Sequence, residues 1–183
     1  MEVLFTTALI TVIAGIALPT GADVLDELRT GAAARYLAAR IAYSRMDAVN
    51  RSRSVALRFE LSTPDYQFSS YVDGNGNGVR TAEIRSGVDP PVGVARQLWH
   101  DFNGVHFGLG SDVPDADGAR SANTDGVRIG TARILTMSPD GTATSGTLYL
   151  QGRRAQYAVR VLGATGRTRV LKFEPGSRTW VSR

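Results

Sequence analysis

Four short stretches of the chain carry side chains whose types and spacing could do chemistry. The first is Glu2, a carboxylate at the head of the uncharged run Val3 to Leu18, which closes at Pro19. A carboxylate set against lipid is costly. It marks either a paired, functional position or an interfacial residue favoured by the positive end of a helix. The second is Gly166-Arg167-Thr168-Arg169. On a strand its two arginines point the same way, about 7 Å apart, which suits successive phosphates. Arg153, Arg154 and Lys172 would extend that patch; the other reading is an exposed strand start after a glycine turn. The third stretch, Asp73 to Gly78, has oxygens at alternate positions (Asp73, Asn75, Asn77) and glycine at the bend, like the first half of a calcium loop. The closing bidentate carboxylate falls due at Ile84, with Glu83 one place early. The stretch therefore reads first as a hairpin turn, with calcium as the alternative. Asp112, Asp115 and Asp117 pose the same choice between a cation and loop solvation. The fourth is His100 beside Asp101, with His106 the only other histidine. No Gly-x-Ser-x-Gly nucleophile motif accompanies them. A triad assembles in space rather than along the chain, but the expectation is a protein that is not an enzyme and has no cofactor.

Composition bounds these options. The chain has 183 residues, enough for one ordinary domain and an appendage, and its 43% hydrophobic content argues against bulk disorder. The absence of cysteine excludes a disulfide framework, a thiolate zinc site and a cysteine nucleophile. The formal charge is +4, and every basic residue except Lys172 is arginine. Charge is uneven. The stretch from Gln151 to Arg183 is strongly basic with Glu174 its single acid, while Asp101 to Asp125 is acidic. The basic end suits nucleic acid or acidic lipid, or else a solvated strand face.

The elements that must position these residues begin with a helix. Val3 to Leu18 would span about 24 Å, slightly short of a bilayer core of about 30 Å. A cleaved signal needs a basic start, which is absent, and a buried core helix would show a polar face, which is also absent. From Asp23 to Asn50 apolar residues recur at helical spacing: Leu25, Leu28, Ala32, Tyr36, Ala39, Tyr43 and Met46, widened by Leu37 and Ile41. An apolar helix thus continues through Pro19 into an amphipathic one. The predicted division is a transmembrane or assembly helix over 1–19, its amphipathic continuation over 20–53, and an antiparallel β domain over 54–183.

The remainder reads as strands. SVALRFEL is one; Phe68 and Tyr71, then Val79 and Ile84, flank the loop Asp73 to Gly78 as a predicted hairpin. Val88 to Thr124, broken by prolines and glycines, is a long connection with short strands such as GVHFGL. ARILTMS, GTLYLQ, QYAVRVL and RTRVLKF make four more. Tyr157, Val159 and Val161 alternate with Gln156, Ala158 and Arg160, which predicts one buried face. The fold class is α+β: a long N-terminal helix, half membrane-like and half amphipathic, packed on an antiparallel sheet domain.

Glu2 and Pro19, bridged by VLFTTALITVIAGIAL, resemble the start of a type IV pilin or pseudopilin. MSPDGTATSGTLYL followed by YAVRVLGATGRTRV resembles the GspH/FimT class of minor pseudopilins, as does the loop YVDGNGNGVR. The resemblance implies a pilin-like fold and a structural subunit of a type II secretion pseudopilus or related type IV pilus, assembled through its N-terminal helix. Glu2 would meet the N-terminal ammonium of a neighbouring subunit, and Pro19 would let the helix bend. The implied partners are other pilins or pseudopilins in a filament, the inner membrane, and a prepilin peptidase. That enzyme cuts a short basic leader ending in glycine, after which the new N-terminus is methylated; Met1 stands where the family's segment is already under way. The β domain would lie in the periplasm or in an extracellular filament. Some FimT-like minor pilins bind DNA through a C-terminal Gly-Arg-x-Arg motif, which Gly166, Arg167 and Arg169 match. DNA binding, with Arg153, Arg154 and Lys172 adding charge, is the alternative function.

Overall fold

The computed structural model describes residues 2–119 and 123–183, with the side chains of residues 2, 4, 5 and 8–20 left out of the description. Helix α1 runs Glu2–Arg51, about 75 Å at the usual rise per residue. Its second half is rich in alanine and free of proline, which favours helix over any competitor. It ends where Ser52 turns left-handed (φ 52°) and the Arg53 amide reaches back to the Ala48 carbonyl at 3.2 Å. Among the described residues no helix is long and apolar enough to cross a membrane. Most side chains of the predicted segment 3–18 lie outside the description.

The face of α1 that packs takes in only the margin of the predicted stripe, Leu37 and Ile41, and not its centre. Thr30, Ala33, Ala34, Leu37, Ile41, Ser44 and Ala48 are buried, whereas Leu25, Leu28, Tyr43 and Met46 are exposed. The alanines let the helix lie close to the sheets, with Leu37 and Ile41 as the two large side chains inserted between. Besides Leu37 and Ile41, the large stripe residue that is partly covered is Tyr36, against Phe102 with ring centroids 5.6 Å apart.

Strands β1 (Val55–Ser62) and β2 (Asp65–Val72) form an antiparallel hairpin with Val55 opposite Val72 and Ser62 opposite Asp65. The hairpin predicted across Asp73 to Gly78 is therefore incorrect: β2 already has its partner, and residues Thr81–Ser86 form the short helix α2. Two carboxylates turn the chain there. Asp73 accepts the amides of Asn75, Gly76 and Gly78, and Asp89 accepts those of Gly74 and Arg80. With those amides engaged, the segment coils on itself instead of returning as a strand.

Then come β3 (Arg96–Gln97), helix α3 (Leu98–Asp101), β4 (His106–Phe107), β5 (Val127–Arg128), β6 (Ile134–Met137), β7 (Gly146–Gln151), β8 (Gln156–Leu162), β9 (Arg167–Glu174) and β10 (Thr179–Ser182). One sheet has the order β3-β2-β1-β6. The other has the order β10-β9-β8-β7-β4, with β5 also on β7. Of the four C-terminal strands predicted, the first joins β1 in the other sheet.

The fold is thus α+β, a long helix across two antiparallel sheets. One core gathers Leu37 and Ile41 with Leu57, Phe59, Phe68, Leu135, Leu148 and Val159. A smaller cluster on the far face of the second sheet joins Leu109, Tyr149 and Ala158 to Trp180. That cluster corrects the one-sided reading of β8, where Gln156 and Ala158 are buried as well. Gln156 donates to the carbonyls of Gly108 (2.8 Å) and Leu150 (2.9 Å) and accepts from the Gly110 amide (3.0 Å). The 109–116 segment thereby closes over what would have been a solvated face.

Candidate assembly and binding surfaces

The N-terminal candidates Glu2 and Pro19 lie within α1, but their side chains fall outside the described residues. The described part of the helix presents two surfaces. One is apolar and open, formed by Val24, Leu25, Leu28, Tyr43, Met46 and Val49. The other is acidic and occupied. The carboxylate of Asp26 accepts three successive backbone amides from the β7–β8 turn, Arg153 at 2.7 Å and Arg154 and Ala155 at 2.8 Å. Burial alone would push the Asp26 carboxyl up, but these amides and the Arg153 charge outweigh it and hold it below the ordinary carboxylate range. Asp23 pairs with the guanidinium of Arg153 and, at 3.0 Å, with that of Arg154. Gly152 makes the close approach possible, since a Cβ there would collide with Asp26 and the Thr30 hydroxyl. Lys172 completes the clamp with Glu27 at 2.6 Å, and that carboxylate raises the Lys172 ammonium above its ordinary value.

The basic patch read from the sequence is therefore split. Arg153, Arg154 and Lys172 bind the helix, whereas Arg167 and Arg169 lie on the opposite face of the sheet from Lys172. Arg167 and Arg169 are exposed, share one face as expected, and meet no carboxylate among the described residues. The register adds two arginines that the sequence did not single out. Arg128 lies opposite Thr147, Thr147 opposite Arg160, and Arg160 opposite Arg169, so a basic row crosses the sheet. Its inner end is countered from the 109–119 segment. Asp117 pairs with Arg160, and Asp115 lies 3.8 Å from Arg128, which also stacks over Tyr149 at 4.9 Å.

Gly166 has a structural duty of its own. It is buried with φ 60°, and a Cβ would strike the Gly141 carbonyl and the Arg45 side chain. Arg45 Nε donates to that same carbonyl at 2.7 Å, tying two turns of the β domain to α1.

The Asp73 loop has its oxygens engaged inward. Burial raises the Asp73 carboxyl, but the Gly78, Gly76 and Asn75 amides outweigh it and hold the group below its usual value. Asn75 Oδ1 accepts the Asn77 amide at 3.2 Å, and both side-chain amides donate to Glu83 Oε1. This geometry supports a turn stabilised by its own carboxylate, and among the described residues no acidic or histidine cluster is disposed to hold a metal. His100 packs edge-on against Trp99, while Asp101 points to Arg96 at 3.8 Å.

The GspH family model, described as type II transport protein GspH, matches residues 33–166. The chain belongs to the GspH family. Among solved structures, the minor pseudopilin EpsH from the Type 2 Secretion System of Vibrio cholerae is similar at 14% identity with a TM-score of 0.49, covering 79% of this chain and 97% of that one. A comparison with curated proteins gives no match. The GspH match opens at Ala33, the first buried alanine among the described residues of α1, and closes at Gly166. It takes in the helix–sheet core and leaves Glu2, Asp23, Asp26, Arg167 and Arg169 outside. Asp26 and Arg45 had no local signal, because their partners are 127 and 96 residues away.

Proposed function

We propose that this GspH-family chain is a minor pseudopilin, a structural rather than catalytic subunit of a type II secretion pseudopilus or related type IV pilus, assembled through α1. The observation that carries this reading is the open apolar stripe of the helix, with Leu28 and Met46 each 59% exposed while the opposite face is sealed on the sheets. Burying such a side chain against a neighbour is worth about 1.5–3 kcal/mol, so the stripe supplies the driving force for side-by-side helix packing. In this reading the first helical segment is anchored in the inner membrane and the β domain lies on the periplasmic side. A prepilin peptidase processes the precursor, the new N-terminus is methylated, and Glu2 faces the N-terminal ammonium of the next subunit. The test replaces Leu28 and Met46 together by Asp in the full-length gene. Expected is loss of cross-linking to other pseudopilins through a cysteine introduced at the exposed Val49, and loss of secretion, with the circular dichroism of the purified chain unchanged. Wild-type cross-linking and secretion would remove the stripe from assembly.

A second reading rests on Arg167 and Arg169, exposed and aligned with Arg160 in the basic row. As a FimT-like minor pilin, the chain would hold the phosphates of DNA during uptake. A gel shift of the detergent-solubilised chain with duplex DNA at two salt concentrations tests it. Expected is salt-sensitive binding lost on Arg167→Ala with Arg169→Ala. Binding unchanged in the double variant would end this reading.

A further inference from the structure

The basic row on the second sheet contains an unfavourable pair. Arg160 of β8 stands directly opposite Arg169 of β9, on the same face of the sheet. Like charges placed opposite each other across strands, with Cβ atoms about 5 Å apart, repel and call for an anion between them. The chain supplies one to half of the pair: the Asp117 carboxylate reaches Arg160, whereas Arg169 meets no carboxylate among the described residues. Beside the pair lies a groove of about 660 Å³, lined by Arg128, Thr147 and Arg160 of the row, by Ser145, and by Asp117 itself. The two inner arginines differ in freedom. Arg128 is fixed, since its guanidinium donates to the carbonyls of Asn123 and Asp125 and stacks over Tyr149. Arg160 is held by Asp117, whose side chain is 68% exposed, and an exposed ion pair of this kind is weak. The backbone around Asp117 is secured separately. The Ala116 amide donates to the Tyr149 hydroxyl at 2.9 Å, and the Asp117 amide to Asp115 Oδ1 at 3.0 Å. The Asp117 side chain can therefore swing off Arg160 while the segment stays in place.

We propose that Arg160 and Arg169 together take one phosphate of a DNA strand, and that Asp117 is the internal competitor that holds Arg160 until the phosphate displaces it. The proposal rests on the second reading above, to which it adds a third arginine and a control on affinity. A phosphate offers acceptor oxygens to both guanidiniums at once, which the Asp117 carboxylate on Arg160 does not. It also relieves the like-charge conflict on both strands. Arg167, two residues along β9 on the same face, reaches the next phosphate, and Arg128 adds positive field without leaving Tyr149. Binding is then a displacement, weaker and less salt-sensitive than the three exposed arginines would give without Asp117.

The test is a fluorescence-anisotropy titration of the full chain in detergent with a labelled DNA duplex over a series of salt concentrations. Expected for Asp117→Asn is an affinity about three- to tenfold higher than wild type, with a plot of log affinity against log salt steeper by about one phosphate contact. Glu60→Gln is the matched control. It also removes one acid and releases one arginine, Arg58, but on the other sheet, and should change affinity by less than about twofold. With Arg160→Gln in place, Asp117→Asn should bring no gain. With Arg160→Lys, which keeps the charge, the gain should persist, and this variant reports even if Arg160→Gln fails to fold. The proposal is overturned if Asp117→Asn binds no more tightly than Glu60→Gln, or if its gain is the same in the Arg160→Gln background, which would make it an effect of net charge. Either outcome leaves the DNA reading standing where binding still needs Arg167 and Arg169. Absence of binding by both wild type and Asp117→Asn at low salt ends that reading and the proposal together.

Discussion

Gly166 shows how one residue serves a reading other than the one its motif suggests. In the sequence it is the first member of Gly-Arg-x-Arg. In the structure it is a buried left-handed residue wedged between the Gly141 carbonyl and Arg45. Its identity is therefore demanded by the fold whether or not Arg167 and Arg169 bind anything. Gly166→Ala must place a Cβ in the left-handed region and into a backbone carbonyl, so it should cost at least about 2 kcal/mol in denaturant unfolding. Arg167→Ala with Arg169→Ala, at exposed positions, should stay within about 0.5 kcal/mol of wild type. A stable Gly166→Ala protein would show that the turn relaxes more easily than its contacts imply. The Asp73 loop makes a related point: oxygens spaced for a cation are also spaced for backbone amides, and here the amides have them.

At the scale of the element, α1 has two apolar stripes, and hydrophobic periodicity alone centred on the one with larger side chains, with Leu37 and Ile41 of the other at its margin. The sheets select the other because small residues allow close approach. Ala33, Ala34 and Ala48 bring the backbone near, and only Leu37 and Ile41 need room. The two stripes should respond oppositely to truncation. Leu37→Ala leaves a cavity in the core and should cost about 2–5 kcal/mol, whereas Leu28→Ala should change the stability of the isolated chain by no more than about 0.5 kcal/mol. Equal losses at both positions in thermal or urea unfolding would mean that Leu28 is covered within the chain itself.

For the whole molecule, the packing of Leu37 and Ile41 is flanked by two polar ties between the helix and the β domain: the Arg45–Gly141 bond and the acidic clamp of Asp23, Asp26 and Glu27 on Arg153, Arg154 and Lys172. The clamp is pH-dependent, with a definite sign. The Asp26 carboxyl is depressed in the fold relative to its unfolded value of about 3.9. Its contribution is thus fully present above that value and is lost as pH falls through the lower folded value. The stability difference between wild type and Asp26→Asn should be about 1–2 kcal/mol near neutral pH, discounted for partial exposure. It should shrink as pH falls below about 4. A difference that is constant from neutral to acidic pH would show that the charge of Asp26 contributes nothing beyond its shape.

The sequence by itself determined the element inventory: a long helix, then antiparallel strands at β1 and β6 to β9, because 3.6- and 2-residue periodicities are local. Its motifs at both ends were also enough to place the chain beside the GspH class. It could not decide which helical stripe meets the sheets, that β2 pairs backward with β1, or that both faces of β8 are covered. Nor could it show that the basic end is partly neutralised by acids near the start of the chain. Each of these depends on contacts between residues far apart in the chain, where steric fit and charge pairing act only after the backbone has brought the partners together.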